Sequence, residues 1–213
     1  MASQKFKVYL LDISGLDIGA CSDIYQSFKQ YRKDKITRLS SSKDKLLSFG
    51  AEYLIQKVCS DFSINYAKTE IIFAKQGKPH FGTKNVHFNN SHSGTKVLCV
   101  ASNNNVGCDI EEIKKPNFAL AKRFFTKQEK RMIGLNKSLF YKVLTRKEAI
   151  LKCLGLGLTK SLDVIDVSQG DVINYEGKTY YLYSVEMDGY ALSICMQDKE
   201  IPEINFELVT INN

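Results

Sequence analysis

The sequence predicts an α+β fold built from two units that share one order of elements. Strand-like alternation opens each half, a helical section follows, and further strands close it. A run of three asparagines, Asn103-Asn104-Asn105, breaks the chain between the halves and sets units of 1–105 and 106–213. At 213 residues, 44% of them hydrophobic, the chain is long enough for each unit to bury a core of its own.

In the first unit Phe6, Val8 and Leu10 share one face of a strand over residues 5–12. A polar, basic segment follows with Lys29, Arg32, Lys33, Lys35 and Arg38. The serines at 40–42 supply an N-cap, and Leu46, Leu47, Gly50, Tyr53, Leu54 and Val58 recur at helical spacing, predicting a helix over 43–59. Residues 70–74 read as a short strand, which the Gly77-Lys78-Pro79 turn breaks. Val86 and Phe88 mark another strand that ends in a polar corner at 90–94, and 96–101 leads back as an apolar strand.

The second unit opens on a strand over 106–111. Pro116 starts a helical segment, and Thr126-Lys127-Gln128-Glu129 matches a capping box at the head of a short helix. Leu139, Val143, Ile150 and Leu154 form the apolar stripe of a helix over 138–154, which Gly155 ends. Strands are expected at 164–167, 179–185, 190–196 and 205–211.

Composition narrows the classes of function. No run of apolar residues is long enough for a membrane span and no secretory signal follows the basic N-terminus, so the expectation is a cytoplasmic protein. The six cysteines lack metal-ligand spacing and sit mostly among apolar neighbours, as reduced thiols do. A formal net charge of +7 suits an anionic partner without choosing between nucleic acid, a membrane surface, a phosphorylated small molecule and an acidic protein. No low-complexity tract, RNA-binding aromatic signature or basic amphipathic helix supports the first two.

The chemistry centres on Val106-Gly107-Cys108-Asp109-Ile110-Glu111. Side chains alternate along a strand, so Asp109 and Glu111 share a face that Cys108 and Ile110 do not. Two neighbouring acids repel, and a hard divalent cation between them relieves the repulsion; alone, such a pair is more often a solvated strand edge. On the 138–154 helix Glu148 and Lys152 stand four residues apart on one face, which is a surface ion pair or the third carboxylate and the cation of a phosphate site. His92, between Ser91 and Ser93, is either a turn histidine satisfying backbone groups or part of an anion site. Lys78 and the basic segment read as ordinary solvated residues when taken singly. Together these residues fit metal-assisted phosphoryl transfer.

The ordered set Gly77-Lys78-Pro79, Phe88-Asn89-Asn90-Ser91-His92-Ser93, Val106 to Glu111, Phe124-Phe125-Thr126-Lys127-Gln128-Glu129 and Lys147-Glu148-Ala149-Ile150-Leu151-Lys152 resembles the 4′-phosphopantetheinyl transferases. Within that family the chain is similar to the long, monomeric type that activates surfactin synthetase rather than to the short trimeric synthases. The resemblance implies a pseudo-twofold pair of α/β subdomains with coenzyme A in the cleft between them. It implies that Asp109, Glu111 and Glu148 hold Mg²⁺ against the pyrophosphate and that Lys152 contacts it. Lys78, Ser91 and His92 would hold the adenosine 3′-phosphate end, helped by basic residues such as Arg32, Lys35 and Lys43. Glu129, or Glu148 through a water, would take the proton of the attacking serine. Leu144 stands where the family commonly has Trp, in a role of apolar packing.

The implied activity is transfer of 4′-phosphopantetheine from coenzyme A to a serine of an acidic apo carrier protein (acyl, polyketide or peptidyl), with release of adenosine 3′,5′-bisphosphate. A coenzyme A or phosphate-binding relative without transferase activity is the rival, and it leaves the full carboxylate set without a purpose. A nucleic-acid-binding protein explains the charge and not the acids.

Overall fold

Two four-stranded sheets lie face to face, each with a long helix on its outer side. The structure is a computed structural model that describes residues 5–82, 85–156 and 165–211. In chain order the described elements are β1 (Phe6–Asp12), α1 (Ser22–Ser27), α2 (Gln30–Arg38), α3 (Ser42–Asp61), β2 (Ile71–Phe73), β3 (Pro79–Phe81), β4 (His87–Ser93) and β5 (Lys96–Ser102). They continue with β6 (Val106–Glu112), α4 (Phe118–Phe124), α5 (Lys127–Ile133), α6 (Lys137–Leu154), β7 (Val172–Tyr175), β8 (Lys178–Met187), β9 (Tyr190–Gln197) and β10 (Phe206–Val209). The chain is therefore mixed α+β. No helix among the described residues is long and apolar enough to cross a membrane.

The first sheet runs β10-β1-β5-β4 and the second β6-β9-β8-β7, while β2 and β3 form a separate hairpin. All pairings are antiparallel except β10 on β1, where Val8 faces Phe206 in parallel register. Thus β10, which belongs to the sequence half 106–213, completes the sheet of the other half.

Alternation along the strands separates three apolar layers. Tyr9, Leu11, Val97 and Cys99 face α3, against Leu47, Leu54, Ile55 and Val58. The intervening positions Val8, Leu10, Leu98 and Val100 meet Val106, Cys108, Ile110, Leu192 and Ile194 between the sheets. Tyr180, Leu182 and Cys195 face α6, against Val143, Ile150 and Cys153. Each large side chain so buried contributes about 1.5–3 kcal/mol, so these layers fix how the two sheets stack.

The long helices form where the spacing predicts them, with polar caps at their starts. Ser41 accepts from the Asp44 amide at 3.3 Å to open α3, and Asn136 accepts from the Leu139 amide at 3.0 Å to open α6. Gly155, at φ 71°, ends α6 in the left-handed conformation.

Three local expectations are corrected. Residues 90–93 are strand rather than corner, since β4 pairs with β5 as far as Ser93 opposite Lys96. The basic segment forms α2, which buries Arg32 and Ile36, one turn apart. Residues 165–167 are not a strand, because their backbone is bonded by side chains instead. The Ile165 carbonyl accepts from Lys147 Nζ at 2.5 Å and the Val167 amide donates to Glu129 Oε1 at 2.9 Å. Val164, the first residue of that expected strand, lies outside the described residues.

Candidate active site

The site forms where three elements converge: β4 at the edge of the first sheet, β6 at the edge of the second, and the last turns of α6. Asn89 of β4 bridges the edges by accepting from the Cys108 amide at 2.9 Å. From the other side α6 lies directly on β6. A Cβ built on Gly107 would stand 2.2 Å from the Ala149 carbonyl oxygen and 2.3 Å from the Cys153 nitrogen. Only glycine permits that approach. Since Asp109 and Glu111 share the Gly107 face of β6, the contact brings them under Glu148 and Lys152.

Asp109 is 3% exposed, and its two oxygens differ. Oδ1 accepts from Lys152 Nζ at 2.6 Å and from Ser91 Oγ at 2.7 Å. Oδ2 is buried with no hydrogen-bond partner among the described residues. Lys152 also donates to Ser91 Oγ at 2.9 Å, which closes a triangle of lysine, serine and aspartate. One pleat along, Ser93 Oγ donates to Glu111 Oε2 at 2.8 Å. Glu112 turns away and pairs with Lys114 at 2.7 Å, as strand alternation requires.

The carboxylates feel one another. Burial, then Asp109 and Glu111, push Glu148 up to about 7 against the pull of Lys152. Burial and Asp109 likewise raise Glu111. Although burial opposes it, the neighbouring Asp109 carboxylate raises Lys152, so the ammonium keeps its proton. No three His, Cys, Asp or Glu side chains among the described residues are already placed to hold one ion together. Yet an all-oxygen set with a buried, partnerless Asp109 Oδ2, beside a Glu111 and a Glu148 that are both raised by neighbouring negative charge, fits a hard divalent cation.

A pocket of about 380 Å³ opens beside this cluster, lined by Glu148 and Lys152, by Asn90 of β4, and by Gly77, Lys78 and Pro79 of the hairpin. His92 is exposed and lies on the opposite face of β4 from Ser91 and Ser93. Partial loss of water and the Lys152 ammonium, then Lys35, lower its basicity, while Asp44 offsets this. His92 therefore faces the side of β4 on which α2 and α3 lie, with Lys35 near it, and Lys43 is exposed in the first turn of α3.

Several expected residues are engaged elsewhere. Glu129 is fully buried: its Oε2 accepts from the Thr126 amide at 2.7 Å, and its Oε1 meets the Val167 amide and Lys147 Nζ at 2.9 and 3.0 Å. A carboxylate so occupied has no route to a substrate proton, so Glu129 is corrected from candidate base to structural ion pair and cap. Arg32 is 7% exposed and bonds Glu52 at 2.6 Å, neutralising a fully buried acid instead of facing a ligand. Lys78 turns its ammonium inward, onto Asn105 Oδ1 and the carbonyls of Val106 and Cys153. Leu144 packs against the α6 core layer, the apolar role expected of it. Asn89 and Asn105, which tie the site together, were legible in the sequence only as a polar strand position and a turn residue.

The family model of the 4′-phosphopantetheinyl transferase superfamily matches residues 105–195. The chain is 30% identical over 187 residues to 4′-phosphopantetheinyl transferase Sfp of Bacillus subtilis, covering 81% of this chain and 83% of that one. It is 30% identical over 177 residues to the transferase gsp of Aneurinibacillus migulanus, covering 77% of this chain and 74% of that one. Among solved structures, the holo-acyl-carrier-protein synthase of Thermotoga maritima matches 45% of this chain and 63% of its own, at 20% identity and a TM-score of 0.35, too distant to carry an argument.

Proposed function

The chain belongs to the 4′-phosphopantetheinyl transferase superfamily, and from that premise we propose that it moves the 4′-phosphopantetheine arm of coenzyme A onto a serine of an apo carrier protein. The single observation that supports this most is the buried Asp109, held by Lys152 and Ser91 through one oxygen and partnerless at the other, beside a pocket that Glu148 lines. Cation and acids meeting at one edge suit a phosphate ester that brings a metal with it.

In this reading coenzyme A lies across the junction of β4, β6 and α6. Asp109, Glu111 and Glu148 hold Mg²⁺, which when bound supplies Lewis-acid neutralisation of the pyrophosphate oxygens. Lys152 contacts the same pyrophosphate. His92, with Lys35 and Lys43, faces the adenosine 3′-phosphate end, and Ser91 orients Asp109 and Lys152. Glu148 accepts the proton of the carrier serine through a water. The serine oxygen then forms its bond to the phosphorus next to pantetheine. The bond from that phosphorus to the leaving oxygen breaks, releasing adenosine 3′,5′-bisphosphate, whose charge Lys152 neutralises.

We also propose that units 1–105 and 106–213 are pseudo-twofold copies. Their strand pairings support it: β1-β5-β4 in one and β6-β9-β8 in the other run in the same order, with α3 and α6 in equivalent places. The enzyme is a cytoplasmic monomer on this reading, and its net charge of +7 suits an acidic carrier.

Incubation with coenzyme A, Mg²⁺ and an apo carrier protein, followed by mass spectrometry of the carrier, tests the proposal. The carrier should gain one phosphopantetheine, and EDTA should stop the gain. Binding of coenzyme A with no gain on acyl, polyketide or peptidyl carriers would favour a non-catalytic relative.

A further inference from the structure

Lys78 sits in the turn between β2 and β3, yet its ammonium points away from solvent and into the junction of the two sequence halves. Its Nζ donates to Asn105 Oδ1 at 2.8 Å, to the Val106 carbonyl at 2.9 Å and to the Cys153 carbonyl at 3.1 Å. An ammonium has three donors, and all three are used. The acceptors come from two places: the start of β6, with the residue before it, and the last turn of α6. The Cys153 carbonyl is one of the helix-terminal acceptors that α6 itself leaves unpaired, and a cation there also complements the helix dipole. Asn105 Nδ2 donates to the same carbonyl at 2.7 Å and to Gln197 Oε1 of β9 at 3.2 Å.

We infer that Lys78 is a positioning residue: it clasps the C-terminal turn of α6 to the head of β6 and so sets where Lys152 and Glu148 stand, its ammonium spent on that clasp and not on a phosphate of coenzyme A. The inference rests on the functional reading above and reassigns one residue within it. Lys152 immediately precedes Cys153, so any slip of that turn moves the ammonium that must stay 2.6 Å from Asp109 Oδ1. Packing alone stops α6 from approaching β6, since Gly107 already touches Ala149 and Cys153, but it does not stop the helix from lifting or turning. The clasp does both. Because Lys78 lies on the hairpin turn, it also fixes Gly77 and Pro79, the far wall of the pocket, to the same point.

Lys78→Met keeps the length of the side chain and removes its donors. Asn105→Ala removes a second bond to the same carbonyl and is the milder lesion if the first variant folds poorly. Both are compared with the wild type, well below their melting temperatures, for transfer from coenzyme A and from 3′-dephospho-coenzyme A, and for hydrogen exchange at the Gly155 and Leu156 amides. For Lys78→Met we expect kcat to fall by about 30- to 100-fold, as a misplacement near 1 Å does, with KM for coenzyme A within about threefold. The preference for coenzyme A over its dephospho form should be unchanged, and exchange at the α6 terminus should quicken by at least about tenfold. Asn105→Ala should show the same pattern more weakly, and the double variant less than the product of the two. A tenfold rise in KM with loss of that preference and unaltered exchange would overturn the inference and make Lys78 a phosphate ligand. If the wild type transfers nothing, the functional reading fails, while the exchange measurement still decides the clasp.

Discussion

Asp109 answers two demands with one carboxylate: Oδ1 anchors Lys152 and Ser91, and Oδ2 is kept buried and partnerless. Glu148 bears the electrostatic consequence. Its carboxyl is raised above the unfolded value, so the fold favours the protonated form. The stability is then fully present below the unfolded pKa and is lost as pH rises through about 7, by up to ~3 kcal/mol. In EDTA, Glu148→Gln should therefore melt several degrees above the wild type near pH 8 and match it near pH 4.5. Mg²⁺ should raise the wild-type melting temperature near pH 8 and have little effect on the Gln variant. Equal melting of the two proteins at both pH values would remove Glu148 from the acidic cluster. These acids were legible because two local periods, two residues along a strand and four along a helix, place them. Residues whose role depends on a distant partner were not. Glu129 carried both a capping-box signature and a possible catalytic role, and the cap, the Val167 amide and Lys147 leave its carboxylate none to spare. His92 and Ser91 were read in a corner, where both could face one ligand; on a strand they face opposite ways.

At the scale of elements, β6 and α6 form one device, and Gly107 is the point at which they touch. Gly107→Ala would set a methyl group against the Ala149 carbonyl and the Cys153 backbone, which cannot swing aside as a side chain can. The expected outcome is a loss of about 1–3 kcal/mol by thermal or urea unfolding, together with a loss of transfer activity greater than the unfolded fraction explains. Unchanged activity and stability would mean that α6 can shift without moving Lys152. The long elements were legible because they bury one face along most of their length, as α3 does with Leu47, Leu54 and Val58. The six-residue α1 buries no residue and so leaves no period in the sequence. The strand expected at 164–167 failed for the converse reason: Ile165 and Val167 are apolar and buried under α6, but a lysine and a glutamate, not a neighbouring strand, bind their backbone.

For the whole molecule, the two sheets share an inner layer that neither covers alone, and the β10 pairing adds a second tie between the sequence halves. Lys57 holds β10 through Glu207 at 2.8 Å, and Phe206 packs on the inner layer. A chain stopped after Lys199 should lose several degrees of melting temperature and associate through the bared edge of β1, measured by calorimetry and light scattering. A truncated chain that melts like the full one would show that β10 is an ornament of the first sheet. The parallel pairing also sets a timetable. Val8 must wait for Phe206, so β1 gains its second neighbour only after the long stretch of chain between the two strands has been made. Until then β1 has β5 on one side and an open edge on the other, which is free to pair with another chain.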